Sequence, residues 1–375
     1  MNARIRRTVV LTAPGRVDLA ESPSRPLKSG EARLRSLYNG ISHGTEIAHY
    51  RGTGADLDVV FDSELRVFRP RPEGTSPYPM PMGYETVARV TEVAPDVTDL
   101  TVGDLVHVDE RHADEIVIDV AGACDSDLYP LVVLPPAVTP EAAVYTSLAC
   151  VALQAVHDAR IKVGDAVAVF GLGAVGLLAI QLARRNGATW VVGVDPVAER
   201  RALAERTGAT LTIDPVEGDA GIAIKERAPA TVDGDLPPPA MRRGVDIAIE
   251  TSGSYAALHE ATRATSVGGR VVTPAGYWYG GGEALRLGAE WMHNRVEMVP
   301  SFGVGGNPHR DHPRWNRRRM MRTVTALLAD GTLDVGALPV RTFSFDEAPA
   351  AYAFVDTKPT EAIKVALRHD VGSGA

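Results

Sequence analysis

Cysteine is the chemistry this chain has least of: two among 375 residues, Cys124 and Cys150. Two thiols cannot build a disulfide framework or a four-cysteine zinc site. A basic excess is also missing. The net charge is −8, which argues against a nucleic-acid surface. No apolar run has the length a bilayer crossing requires. The basic start, MNARIRRTVVLTAPG, runs into a short strand-like segment rather than a long apolar core, so no signal peptide is expected. What remains is an ordinary globular composition, 45% hydrophobic and 23% charged. The expectation is a cytoplasmic protein in a reducing compartment, long enough for two domains with separate cores. There is no internal repeat.

The most informative stretch is Val163 to Asp195. Ala166 to Phe170 is a short apolar run of strand type, and Gly171-Leu-Gly173-Ala-Val-Gly176 follows at once. Leu177 to Arg185 has helical spacing, and Trp190 to Val194 is a second apolar run ending in Asp195. This is a βαβ unit with the dinucleotide-binding glycine pattern. Gly171 permits the tight turn, Gly173 lets a pyrophosphate approach the backbone, and Gly176 lets the helix pack close to the strand. The helix start, with Ala174 and Val175, offers N–H groups and positive dipole to the phosphates. Asp195 stands nineteen residues after Gly176, where an acid accepts ribose hydroxyls and repels a 2′-phosphate. The cofactor expected is therefore NAD, with Arg200 counted among the cofactor-binding residues and, together with Arg201, a counter-indication to NAD over NADP.

Residues 1 to about 135 read as β-rich. Thr8 to Leu11, Ala32 to Leu37, Glu85 to Val93 and Leu105 to Val108 have strand character, separated by Gly, Pro and Asp turns. Ser63 to Gly83, rich in proline and arginine, reads as an extended loop. Pro140 to Asp158 reads as a helix or helix pair. After Asp195 come a helix over Ala198 to Thr207 and a strand over Thr210 to Ile213. Pro229 to Arg243 contains three consecutive prolines and reads as a surface insertion. Strand Val245 to Glu250, helix Tyr255 to Thr265 and strands Arg270 to Pro274 and Val296 to Phe302 complete a doubly wound sheet. A locally basic stretch, Asn307 to Arg322, leads into an amphipathic helix. Phe343 to Leu367 reads as a helix and a final strand.

Several blocks, in collinear order over nearly the whole chain, resemble the medium-chain dehydrogenase/reductase superfamily, which includes zinc alcohol and polyol dehydrogenases. They include NGISHGTEIAHYRG at 39–52, MGYETVARVTEV at 82–93, the glycine stretch, VDIAIETSGS at 245–254, GGRVVTPAGY at 268–277 and EAIKVAL at 361–367. The resemblance implies an α/β architecture: a doubly wound Rossmann domain inserted into a β-rich GroES-like catalytic domain made of both chain ends. The divisions expected are 1–154, 155–303 and 304–375, with the active site between the domains. The resemblance also implies a homodimer through the edge strand Val296 to Phe302.

The departures from that pattern bear on the chemistry. The zinc members carry Cys-Gly-Thr/Ser-Asp where this chain has His43-Gly44-Thr45-Glu46, and Gly-His-Glu where it has Gly83-Tyr84-Glu85. Their third ligand falls near Thr146. Tyrosine and threonine are poor zinc ligands, and VGDLVHVDERHADEI runs through the usual place of the four-cysteine lobe. No metal is expected. A residual site from His43 and Glu85, with His49 or His112, is the alternative. Within the superfamily, S-x-G-T-E followed by G-Y-E is similar to bacteriochlorophyllide hydroxyethyl dehydrogenases and to sugar and cyclitol dehydrogenases.

Without a metal, a side chain has to take the alcohol proton. The candidates are His43, Tyr84 and Glu85, with Thr45 at the position where the family places a relaying hydroxyl. Each has a plainer reading: a surface loop for His43, a space-filler for Tyr84, an ion-pair partner for Glu85. Glu46 and His112 read as structural, and Cys150 as core. Thr251, Ser252, Ala275 and Ser301 end strands at the carboxyl edge of the sheet, where ligands bind. Lys364 matches a basic position that in relatives reaches the pyrophosphate. The sequence thus points to a zinc-independent, NAD-dependent oxidoreductase interconverting a secondary alcohol and a ketone, on a sugar, cyclitol or other polyol. A quinone or enone reductase using NADPH, which Asp195 disfavours, and a non-catalytic nucleotide sensor are the alternatives; turnover with NAD and a polyol panel excludes the sensor.

Overall fold

The computed structural model describes residues 4–54, 56–125, 130–229, 243–277, 280–302 and 314–370. Two compact units are present: Met1–Ser147 with Pro339–Ala375, and Leu148–Leu338.

The second unit is built on a six-stranded sheet. Its strands lie in the order Leu211–Ile213, Trp190–Val194, Ala166–Phe170, Val245–Glu250, Thr265–Thr273 and Glu297–Pro300. Every neighbouring pair is parallel. Numbered along the chain this is 3-2-1-4-5-6, the doubly wound arrangement. The sequence dictates it locally. Ala166–Phe170 is apolar and buried throughout, as a strand covered on both faces must be. Phe170, Val192, Val194, Ala248, Leu258 and Val271 share one core.

Trp190–Val194, Ala198–Thr207 and Val245–Glu250 stand as expected. Elsewhere the boundaries move. The helix after the glycine turn begins at Ala174, three residues earlier than its periodicity suggested, because Gly173 is its N-cap. Gly268 and Gly269, expected to close a helix, lie inside the longer strand Thr265–Thr273, beside a register shift between Val245 and Ile247. The insertion expected over Pro229 to Arg243 lies, apart from its ends, outside the described residues. The unit also reaches past the expected boundary at 303. Helix Arg317–Ala329 belongs to it, and the Gln181 amide clamps Asp334, donating to its carbonyl at 3.2 Å and accepting from its N–H at 2.8 Å. The other boundary moves from 154 to Ser147, within helix Thr146–Ala159.

The spine of the first unit is strand Glu31–Ile41, which pairs antiparallel with Thr86–Val93, Glu115–Asp119 and Lys364–Arg368. Strand Lys364–Arg368, from the far end of the chain, therefore sits inside a sheet begun at Glu31–Ile41. Strand Val340–Ser344, missed in the sequence, runs parallel to Lys364–Arg368 and precedes helix Ala348–Thr357. Part of the loop expected over 63–83 is ordered instead: Val67–Pro70 pairs with Val59–Asp62, and Met80–Pro81 with Ile5–Ala13. One cluster of this unit's core holds Leu34, Ala88, Val106 and Ile116; another holds Leu11, Ile41, Ile47, Tyr352 and Leu367. No described helix is long and apolar enough to cross a membrane.

Candidate functional site

The glycine turn has the geometry its sequence demands. Gly171 has φ +82°, the left-handed region that favours glycine. A Cβ on Gly176 would stand 1.9 Å from the Gly171 carbonyl oxygen, so only glycine lets the helix seat on the strand. A Cβ on Gly173 would meet nothing within 4 Å. The backbone there faces open space, and no side chain caps the helix. The first helical N–H groups, at Ala174 and Val175, lack intrahelical acceptors by geometry. This is a cradle for an anion.

Asp195 lies at the end of the neighbouring strand and is buried. One carboxylate oxygen accepts from the Leu172 N–H at 2.7 Å, the other from the Val197 N–H at 2.8 Å. A carboxylate has about four lone-pair sites, so capacity remains for hydroxyls. Arg200 stands 3.8 Å from the same carboxylate, whereas Arg201 is committed to Asp214 and the Asp195 carbonyl. Across the sheet, Thr251 Oγ1 donates to the Gly171 carbonyl at 2.7 Å. Ser252 follows, exposed, and Ala275 is half-buried.

Two residues leave the expected cofactor set. Ser301 is buried, and its hydroxyl is spent on Asp158 at 2.7 Å. Lys364 is fully enclosed, with its ammonium 2.5 Å from Glu85 Oε2 and 3.0 Å from the Ile41 carbonyl. It faces the interior of its own sheet and is no pyrophosphate ligand.

In the first unit the residues at the altered positions gather in one polar cluster. Strand Glu31–Ile41 runs into the loop Ser42–Gly44 and then helix Thr45–Arg51. This brings His43 and Thr45, both half-buried, to the start of that helix. The hydroxyls of Ser42 and Thr45 hydrogen-bond the Tyr84 oxygen. Burial, with Glu85 and Glu46 nearby, pushes the phenol far above its usual range, so Tyr84 keeps its proton. Behind it the buried Glu85 carboxyl is pushed up to about 7 by burial, against the pull of the Lys364 ammonium. Its second oxygen, Oε1, has no hydrogen-bond partner among the described residues.

Glu46, read as structural from the sequence, is the hub of this cluster. It accepts from the Ser42 N–H at 2.9 Å, meets His112 Nε2 at 3.1 Å, and accepts from the Tyr352 hydroxyl. Burial opposes its charge, but His112 and the hydrogen bonds hold it below the usual carboxylate range. The wholly buried His112 ring fits because Gly83, at φ +95°, has no side chain; a Cβ there would stand 2.3 Å from the ring. The signal for Glu46 was available in its place beside His43-Gly44-Thr45. Nothing local marked Tyr352, which comes from 306 residues further on. Of the remaining candidates, His49 is tied to Asp56 at 2.8 Å, and Thr146 and Cys150 are buried in their helix, Cys150 as core. The basic stretch is only partly described; in it Arg319 stacks on Trp315 at 4.0 Å.

A doubly wound dinucleotide-type unit, joined to a β-rich unit made of both chain ends, defines a class of oxidoreductases. A family model described as zinc-binding dehydrogenase matches residues 174–315. The D-guloside 3-dehydrogenase of Escherichia coli K12 is 33% identical over 366 residues, covering 96% of this chain and 99% of that protein. The (R,R)-butanediol dehydrogenase of Bacillus subtilis strain 168 is 29% identical, covering 68% of this chain and 73% of its own. Among solved structures, an Escherichia coli oxidoreductase/dehydrogenase of unknown specificity superposes with a TM-score of 0.75 at 17% identity, covering 98% of this chain and 100% of that one. The chain belongs to the medium-chain dehydrogenase/reductase superfamily.

Proposed function

We propose that this protein is a zinc-independent, NAD-dependent dehydrogenase that interconverts a secondary alcohol and a ketone on a sugar-like or other polyol substrate. The observation that carries the reading is the pairing of an intact glycine cradle with a polar cluster in which an ammonium and a phenol accompany the altered ligand positions. The similarity to a D-guloside 3-dehydrogenase along almost the full length supports the substrate class.

The residues of this chain do not fit a catalytic zinc. Of the three positions, only His43 carries a zinc-type donor. Tyr84 holds its proton, and Thr146 offers a hydroxyl. Glu85, the acid nearest at hand in sequence, has one oxygen on the Lys364 ammonium, which a metal ion would have to displace. Among the described residues no group of three or more His, Cys, Asp or Glu side chains is disposed to hold a metal.

The cradle does fit a nicotinamide dinucleotide. When bound, that cofactor supplies the hydride acceptor or donor. The Gly171–Gly176 turn receives the pyrophosphate and the Asp195 carboxylate receives the ribose hydroxyls, which favours NAD. Tyr84, protonated throughout the working range, donates a hydrogen bond to the reacting oxygen. His43, half-exposed, takes the alcohol proton; an imidazole is the side chain suited to that exchange near neutrality. Thr45 fixes the Tyr84 oxygen, and Glu85 tunes the phenol from behind. The oligomer is a homodimer formed through the edge strand Glu297–Pro300.

Purified protein tested for metal content, cofactor preference and turnover checks this reading. We expect no stoichiometric zinc, tighter binding of NAD than NADP, and a shift of at least tenfold toward NADP in Asp195→Ala, with Arg200 freed to meet the 2′-phosphate. His43→Ala is expected to lower kcat about 10²–10⁴-fold, the usual worth of a positioned base, and Tyr84→Phe at least tenfold. Unchanged kcat in both variants would sink the mechanism, and bound stoichiometric zinc would sink its metal-free basis.

A further inference from the structure

Glu250 ends the fourth strand of the parallel sheet, directly beside Phe170 in the pairing register. It is fully buried in an otherwise apolar strand end. Its carboxylate turns back on the loop that follows. One oxygen accepts from the Ser252 N–H at 2.7 Å and from the Ser252 hydroxyl. The other accepts from the Gly253 N–H at 3.2 Å and from the Tyr277 hydroxyl at 2.7 Å. Tyr277 in turn packs on Tyr255, ring centroids 4.9 Å apart.

These bonds join three backbone segments. Thr251 sews the loop to the glycine turn through the Gly171 carbonyl. Gly253, at φ +72°, lies so close to the loop after the fifth strand that a Cβ would stand 2.5 Å from the Gly276 carbonyl oxygen. Glu250 therefore fixes the loops after strands four and five relative to each other, while the bond to the cradle is made by Thr251 and does not depend on the Glu250 carboxylate. The position has meaning in this topology. Ligands of doubly wound sheets lie across the carboxyl ends of the strands at the point where strand order reverses. Here that point is between Ala166–Phe170 and Val245–Glu250. With Asp195 marking the adenosine end on strand two, the other end of an extended dinucleotide runs over strands four and five.

We propose that Glu250 is a positioning residue for the nicotinamide end of the cofactor. It acts through the Ser252–Gly253 backbone and Tyr277, and touches neither the adenosine nor the pyrophosphate site. The inference rests on the dinucleotide reading above. It differs from a role as a general stabiliser, because a loosened core would weaken both halves of the cofactor site together.

The test compares NADH with ADP-ribose, which lacks the nicotinamide, by titration calorimetry on full-length wild type, Glu250→Gln and Tyr277→Phe. We expect wild type to bind both. Glu250→Gln should lose about tenfold or more in NADH affinity while ADP-ribose affinity stays within about twofold, and Tyr277→Phe should show the same split at a smaller size. Parallel losses for the two ligands, or no loss, would overturn the proposal. If Glu250→Gln does not fold, Tyr277→Phe, which removes one hydroxyl at a half-buried site, decides alone. Failure of wild type to bind ADP-ribose would instead overturn the dinucleotide reading itself.

Discussion

Lys364 and Glu85 are both wholly enclosed and 2.5 Å apart. Removing one partner of such a pair leaves the other charge buried and uncompensated, whereas replacing both by neutral groups is far less costly. Lys364→Met is therefore expected to lower stability by about 3 kcal/mol, the lower end of the usual range, because the Glu85 carboxyl can escape by binding a proton. The double variant Lys364→Met/Glu85→Gln should regain more than half of that loss in chemical denaturation. The same carboxyl sets a pH dependence. Its pKa is 4.5 when unconstrained and about 7 in the fold. Between these values the folded chain holds a proton that the unfolded chain releases. This contribution to stability is therefore full below pH 4.5 and lost as pH rises through 7. Relative to Glu85→Gln, wild type should lose stability across that window and run parallel above it; denaturation midpoints of the pair from pH 4.5 to 8 measure this.

At the scale of elements, the glycine turn separates packing from binding. Gly176→Ala forces a methyl onto the Gly171 carbonyl oxygen and should cost about 3 kcal/mol, the upper end for overpacking. Gly173→Ala meets no neighbour, at a φ of −74° that alanine adopts. It should leave the melting temperature nearly unchanged and still weaken NADH binding at least tenfold, since its methyl occupies the approach of the pyrophosphate. Thermal melts and NADH titrations of the two variants check the contrast. This element was legible because its constraints are local: turn, helix start, close packing and acid all fall within Gly171 to Asp195. The first-unit cluster was legible only in part. His43, Thr45, Glu46, Tyr84 and Glu85 lie in two short blocks, but Tyr352 and Lys364 reach them from the far end of the chain. Strand Val340–Ser344 was missed for a similar reason: its partner, Lys364–Arg368, lies twenty residues on, with a helix between.

For the whole molecule, two compact units with separate cores predict a local response to ligand. A ligand at about 100 times its Kd stabilises what it binds by roughly 2.7 kcal/mol. ADP-ribose should therefore slow amide exchange in Ala166–Phe170, Trp190–Val194 and the turn between them. Exchange in Glu31–Ile41 and Thr86–Val93 should be left nearly unchanged. Hydrogen-exchange mass spectrometry reads this directly; equal protection of both sheets would contradict it.

The sequence by itself determined the doubly wound sheet, the glycine cradle and the presence of His43, Tyr84 and Thr146 at the expected ligand positions, because each is written in residues close together and follows from backbone sterics and side-chain chemistry. Tertiary structure alone decided what those altered positions became. Chain closure, with Lys364–Arg368 laid beside Glu31–Ile41, put the ammonium on Glu85 rather than near a phosphate. Packing within the other unit set Ser301 on Asp158, and helix Ala348–Thr357 brought Tyr352 to Glu46, which also meets His112. A side chain's partners, burial and proton affinity depend on what the fold packs against it, and no spacing along the chain encodes that.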